Sequence, residues 1–408
     1  MEAAKGAGAR VVLAPDKFKG SLSAPEVAAA LERGLLAADP ELEVIKVPVA
    51  DGGEGTVEAA VSAGYRRHRA IVAGPTGEAL EASFAVDGHR AVIELAAASG
   101  LDVLPGGLLR PLAATSRGTG ELIRAALDAG CTEIVLGVGG SACTDGGAGL
   151  LQGLGARFMD DAGTELPPGG AALARLATVD LSGLDGRLDR TSVVLASDVD
   201  NPLLGHNGAA AVFGPQKGAA PEDVALLDAA LGRLVEVLAA ELGAGTKAAA
   251  VFPGAGAAGG VGFAALAVLR ARRRRGIDVV MELTGLHAKV QGAQLVITGE
   301  GSLDGQSLEG KAPVGIAQAA AAAGAQVFAV CGRNLLPEDR LRAAGISGTF
   351  ELLELEPDVQ KCMASAPQLL EQTGAAIAAI LKEGRAAAAL PGKRRPAEAG
   401  LLSTVKGA

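Results

Sequence analysis

The sequence predicts an α/β protein in which a second, mixed α/β domain is inserted into a flavodoxin-like parallel-sheet domain. Three observations predict it. Short β-branched apolar runs alternate with helical stretches at the start of the chain and again after about residue 290, the pattern of βα units. Between them, Tyr65 to Glu94 breaks into short alternating segments separated by Gly74-Pro75 and Asp87-Gly88, the mark of antiparallel hairpins. The 408 residues exceed the size at which one hydrophobic core stops growing, so two domains are expected. Tryptophan is absent and aromatics are 2% of the chain, so burial falls to Ala, Val, Leu and Ile, which suits layered helices and sheet.

Taken in order, Arg10 to Pro15 reads as a strand that breaks into Asp16-Lys-Phe-Lys-Gly-Ser. Ser23 with Glu26 forms a capping box ahead of a helix through Leu36. Glu43 to Val49 reads as the next strand, and Asp51-Gly-Gly-Glu-Gly-Thr opens a second helix. The central region carries strands at Glu133 to Val138 and Ser192 to Ala196, a glycine-rich loop from Gly139 to Gly149, and helices near 221 to 242 and 260 to 271. Strands follow at Leu295 to Thr298, Gln326 to Val330 and Gly348 to Leu352, which makes five for the outer domain and places Asp16, Asp51 and Glu300 at carboxyl ends, where such sheets bind ligands. The expected boundaries are 1–66 with 291–385 for the flavodoxin-like domain, 67–290 for the insertion, and a flexible tail over 386–408.

A net charge of −9 and the scarcity of aromatics argue against nucleic acid as a partner; the run Arg272 to Arg275 reads as a solvated surface turn. The cysteines at 131, 143, 331 and 362 show no metal or disulfide spacing. No apolar stretch reaches the length of a membrane helix and the N-terminus lacks a signal-peptide h-region, so no membrane association and a cytoplasmic location are expected.

Phosphoryl transfer needs cations and backbone N–H groups around phosphates, carboxylates for Mg²⁺, and a carboxylate to orient the attacking hydroxyl. The loops offer each class. Lys17 and Lys19 stand at a strand end, and Asp51 and Glu54 sit three apart among glycines, although acidic residues also cap helices for structural reasons. Gly139-Gly140-Ser141 opens a glycine-rich strand-to-helix loop suited to phosphate. Read from Gly137, the same loop matches the G-x-G-x-x-A of a dinucleotide-binding unit, with Asp160 about 20 residues on; a nicotinamide-dependent hydroxy-acid dehydrogenase is therefore the alternative. Gly305 to Lys311 matches G-x-x-x-x-G-K, but Ala312 replaces the Ser or Thr of a P-loop, which leaves Lys311 as a phosphate candidate without a P-loop fold.

Together these segments resemble the bacterial type I glycerate kinase family. The matching stretches are Ala14 to Ser23, Pro48 to Thr56, Gly139 to Ala142 with Asp145 to Gly149, Ser197 to Leu203, Phe213 to Gly218, and Ile297 to Gly301 with Asp304, Gln306, Gly310 and Lys311. The resemblance implies a two-domain kinase using ATP and Mg²⁺ to phosphorylate D-glycerate, usually at the 2-hydroxyl; 3-phosphorylation is the alternative outcome, and a homodimer is a candidate assembly. Cys143 and Thr144 stand where Thr-Asn is expected, Gln294 where Asp is usual, and Ser302 where Arg is common. Asp198 is expected to position the glycerate hydroxyl, with Lys17, Lys19 and Asp51 beside it in catalysis. Gly139, Gly140, Ser141, Lys311 and Glu300 are expected at the nucleotide, and Asp145, Asp304 and Glu54 at the metal.

Overall fold

A computed structural model describes residues 9–309 and 311–388. The chain divides into two compact units, one formed by Met1–Ala50 with Met281–Ala408 and the other by Asp51–Val280.

In the discontinuous unit, β1 (Arg10–Pro15) and β2 (Glu43–Lys46) precede the insertion. The inserted unit contributes β3 (Arg66–Ala73), β4 (Ala79–Asp87), β5 (Arg90–Glu94), β6 (Glu133–Gly137), β7 (Arg157–Met159), β8 (Thr178–Asp180), β9 (Ser192–Ala196) and β10 (Arg272–Arg274). The first unit resumes with β11 (Leu295–Leu303), β12 (Gln326–Asn334) and β13 (Gly348–Glu351).

Its five strands pair in parallel in the order β13-β12-β11-β1-β2. That is the expected flavodoxin-like arrangement. The inner strands are apolar without alternation, with Val11 to Ala14 and Leu295 to Ile297 wholly buried, because helices cover both faces of a parallel sheet. The helix Ala24–Ala38 starts as the sequence predicts: the Glu26 carboxylate accepts from the Ser23 N–H at 2.8 Å and from its hydroxyl at 2.6 Å. It packs on the long helix Ala366–Ala388 with almost no space between backbones. A Cβ on Gly34 would lie 1.9 Å from the Glu371 carbonyl oxygen, and one on Gly374 would lie 2.5 Å from that of Leu31.

The inserted unit holds a six-stranded mixed sheet, β10-β9-β6-β5-β4-β3, antiparallel at β3-β4-β5 and parallel from β5 to β10. The hairpins expected from Tyr65 to Glu94 are its antiparallel half. Both edges are arginine strands: Arg66, Arg67 and Arg69 on β3, Arg272 to Arg274 on β10. The basic run is thus an edge strand rather than a surface turn, and charge there discourages pairing with another chain. The helix Pro221–Leu242 occupies its expected place, while the element Ala257–Ala267 is interrupted at Ala258–Gly260 and ends four residues before the expected 271.

Two boundaries differ from expectation. The units divide at 50 and 280 rather than 66 and 291, because the helix Thr56–Ser62 packs on β4 and β5 and so belongs with the insertion. Asp51 accordingly leaves the flavodoxin-like sheet. The expected tail begins inside the last helix, which continues to Ala388; the rest of the tail lies outside the described residues. Among the described residues no helix is long and apolar enough to cross a membrane.

Gly34→Val forces the two helices of the first unit apart. It should cost about 3 kcal/mol or more in denaturant-induced unfolding, while Gly384→Val, where a Cβ meets open space, should stay within about 1 kcal/mol.

Candidate active site

In the inserted unit three loops meet backbone to backbone. Gly52 is left-handed at φ 85°, and a Cβ on it would fall 2.7 Å from the Gly276 Cα. Added Cβ atoms on Gly276, Gly137 and Gly139 would fall 2.0 Å from the Asp51 oxygen, 2.3 Å from the Gly52 oxygen and 2.6 Å from the Gly53 Cα respectively. No larger residue fits these positions without moving the chain. The contact brings Asp51, Glu54, Gly139 and the turn at Gly276 together around the end of β9, where Asp198 follows Ser197.

Asp198 is held at one oxygen only. Its Oδ1 accepts from the Gly276 N–H at 2.8 Å, while Oδ2 is buried and has no partner among the described residues. Burial raises its carboxyl to about 6; the Gly276 hydrogen bond opposes that rise and the nearby Asp51 charge adds to it. Ionised and half satisfied at neutral pH, such a group is suited to orienting or accepting a hydroxyl proton. Its loop is braced by Arg273 on β10, whose Nη2 donates to the Val199 carbonyl at 3.0 Å and to the Asp200 carboxylate at 2.6 Å. Asp51 Oδ1 accepts the Gly53 N–H at 3.2 Å.

Asp145 has the opposite environment. It is buried at 1% exposure and accepts from the Ser116 N–H at 2.8 Å, from the Ser116 hydroxyl, and from the N–H groups of Gly147 at 3.1 Å and Gly149 at 3.2 Å. With its oxygens occupied it anchors the glycine-rich loop, which does not fit the metal role expected of it. The same loop is held from behind by the segment Ala258–Gly260, three successive left-handed residues, whose Gly259 carbonyl accepts the Gly146 N–H at 2.9 Å. Sequence reading passed over this segment, although five glycines between Gly254 and Gly262 are a legible signal. It also passed over Gly276, and it placed Lys217 in the family stretch Phe213 to Gly218 without giving it a role; this wholly buried lysine donates to Ser141 Oγ at 2.9 Å and to the Cys143 carbonyl at 2.5 Å.

The dinucleotide reading of this loop does not survive the fold. A Rossmann unit turns directly from strand to helix, whereas here the next helix begins only at Ala148 and spans six residues. Asp160 lies outside the six-stranded sheet, capping a turn through the N–H groups of Ala162 and Thr164.

In the discontinuous unit the expected residues gather at the carboxyl ends of β1 and β11. Asp16 donates its N–H to the Gly299 carbonyl at 2.8 Å, Lys17 is half-buried and Lys19 exposed. The loop lies close over β11, where a Cβ on Gly301 would be 3.3 Å from the Lys19 nitrogen, and Glu300 falls beside it in the strand. Asp304 caps the following turn, accepting from the N–H groups of Gln306 at 2.9 Å and Ser307 at 3.3 Å, which is a structural use rather than the expected metal ligation. Lys311 precedes the helix Ala312–Ala322, and its ammonium donates to the Gln306 side chain at 3.1 Å. Because β11 runs to Leu303, five residues past its expected end, Gly305 to Lys311 does join strand to helix; Ala312 still lacks the hydroxyl, and Gly310 lies outside the described residues.

The departures from the family pattern take distinct places. Thr144 is wholly buried, its Oγ1 without a partner among the described residues, and Gln294 accepts the Arg10 N–H at the far end of β11 from the loops. Ser302 accepts from Arg333 at 3.1 Å.

The sequence profile described as the glycerate kinase family matches residues 11–382. This chain belongs to that family. It is 45% identical over 376 residues to the glycerate kinase of Bacillus subtilis strain 168, covering 91% of this chain and 98% of the relative. It is 46% identical over 348 residues to the glycerate 2-kinase of Escherichia coli K12, covering 84% and 90%. A crystal structure of a candidate glycerate kinase 2 from Salmonella typhimurium LT2 superposes with a TM-score of 0.79 at 43% identity, covering 93% of this chain and all of that one. Family membership makes the chain a phosphotransferase acting on an alcohol group.

If Asp145 is an anchor, Asp145→Ala should lose about 3 kcal/mol or more of stability by leaving several buried donors unpaired. Denaturant unfolding checks this; a metal ligand would instead give near wild-type stability with an altered Mg²⁺ requirement.

Proposed function

We propose that the chain transfers the γ-phosphoryl group of ATP to the 2-hydroxyl of D-glycerate, with Asp198 as the group that positions that hydroxyl. The observation that carries the reading is the Asp198 carboxylate, fixed at Oδ1 by the Gly276 N–H and left with an open acceptor at Oδ2. Transfer passes through a loose, metaphosphate-like transition state, so the acceptor needs to be aimed more than it needs to be fully deprotonated. A carboxyl of pKa about 6 is ionised at neutral pH and basic enough to take the proton late.

The N–H groups of Gly139, Gly140 and Ser141 serve as phosphate donors, and Lys17, Lys19 and Lys311 as charge for phosphates or the glycerate carboxylate. Glu300 stays a candidate for nucleotide contact. Mg²⁺ would arrive with ATP, held largely by phosphate oxygens and one or two carboxylates. Asp51 fits that part, since its hydrogen bond from the Gly53 N–H is long at 3.2 Å, and Glu54 lies three residues on. Among the described residues no cluster of three or more His, Cys, Asp or Glu could hold a metal by itself. The 2-position rests on the name of the Escherichia coli relative.

ADP release with Mg-ATP and D-glycerate, coupled directly to enolase, tests the reading. Enolase turnover without phosphoglycerate mutase is expected; turnover only with mutase would assign the 3-hydroxyl, and no ADP would overturn glycerate as substrate. Asp198→Asn should lower kcat by about 10²-fold or more. Its stability near pH 8 should not fall. The folded carboxyl has a raised pKa, so its stabilising contribution is complete below about 3.8 and lost as pH rises through about 6, a cost of about 3 kcal/mol that the neutral amide escapes.

A further inference from the structure

We propose that Lys217 and Ser141 form a buried pair that charges the glycine-rich loop: Lys217 is a positioning residue, and the Ser141 hydroxyl is the donor that meets an anionic phosphoryl oxygen. The inference rests on the reading of Gly139 to Ser141 as the phosphate loop.

Lys217 closes the short turn Pro215–Lys217 and is 1% exposed. A buried ammonium is costly unless a counter-charge meets it. Here both acceptors are neutral, Ser141 Oγ at 2.9 Å and the Cys143 carbonyl at 2.5 Å, and no ion pair joins Lys217 to a carboxylate among the described residues. The Asp145 charge favours the ammonium through space, but its oxygens are bonded to Ser116, Gly147 and Gly149 rather than to Lys217. Two of the three ammonium protons are accounted for, and burial pulls the Lys217 pKa below its usual value. The charge is therefore held in the loop with no carboxylate bonded to it, Asp145 acting on it only through space.

Ser141 passes that charge outward. Its oxygen accepts from Lys217, so its own proton is left to donate, and an oxygen bound to an ammonium makes a stronger donor. Ser141 is 7% exposed, at the end of the loop's Gly139-Gly140 pair. A phosphoryl oxygen taken there receives a polarised hydroxyl and a counter-charge one bond behind it.

Equilibrium binding of ATP to the purified full chain, by calorimetry well below the melting temperature, tests the pair with Lys217→Met, Ser141→Ala and the double variant. Lys217→Met removes the cost of a buried charge but leaves the Cys143 carbonyl unpaired, so its melting temperature is measured first to establish that the variant is folded. Each single variant should weaken ATP binding by about tenfold or more, and the double should be no weaker than the worse single. Wild-type ATP affinity in Ser141→Ala, or in a folded Lys217→Met, overturns the proposal. If Lys217→Met fails to fold, Ser141→Ala decides alone. A wild-type chain that binds ATP without phosphorylating glycerate would overturn the substrate reading and leave this test intact.

Discussion

The inserted unit depends on a steric constraint: Gly52, Gly137, Gly139 and Gly276 lie so close that a single methyl group on any of them would collide with the backbone of a neighbouring loop. Such contacts have little tolerance, because packed backbone does not compress. They carry Asp51 to within electrostatic reach of Asp198, deliver the Gly276 N–H to Asp198 Oδ1, and seat the start of the glycine-rich loop beside both. Abundant glycine in this chain is thus, at these positions, a requirement of geometry.

Two aspartates show how environment divides labour within one residue type. Asp145 is surrounded by donors and is spent on holding a loop; Asp198 has one donor, a raised pKa and an unpaired oxygen. The first is a stability device, while the second accepts a standing cost, and groups of the second kind cluster where chemistry is done. Lys217 carries a similar cost with the opposite sign.

The flavodoxin-like sheet is legible in the sequence because its inner strands, buried on both faces, read as unbroken apolar runs followed by loops and helices. Arg10–Pro15 is found where expected, and the ends of β11 and β12 are extended by residues such as Gly299, Ser302 and Arg333, whose pairing comes from the neighbouring strand rather than from local preference. The boundary at Asp51 escapes local reading for a related reason: what assigns it to the insertion is contact with Gly276, more than 200 residues away. Residue types identify the loops, and Asp198 stands out by its place after β9. Nothing in the spacing separates Asp145 from Asp198, since donors contributed by Ser116 and Gly276 are distant in the chain. Lys217 is equally hidden, as burial of a lysine has no local signature.

The central claim is that an ionised Asp198 orients the acceptor hydroxyl, and the pH dependence of kcat/KM for D-glycerate tests it most directly. The account predicts a plateau at neutral pH and a fall with unit slope below about pH 6, as one carboxyl is protonated, with that limb absent from the residual activity of Asp198→Asn. A profile flat through that range, or the same limb persisting in Asp198→Asn, would contradict it.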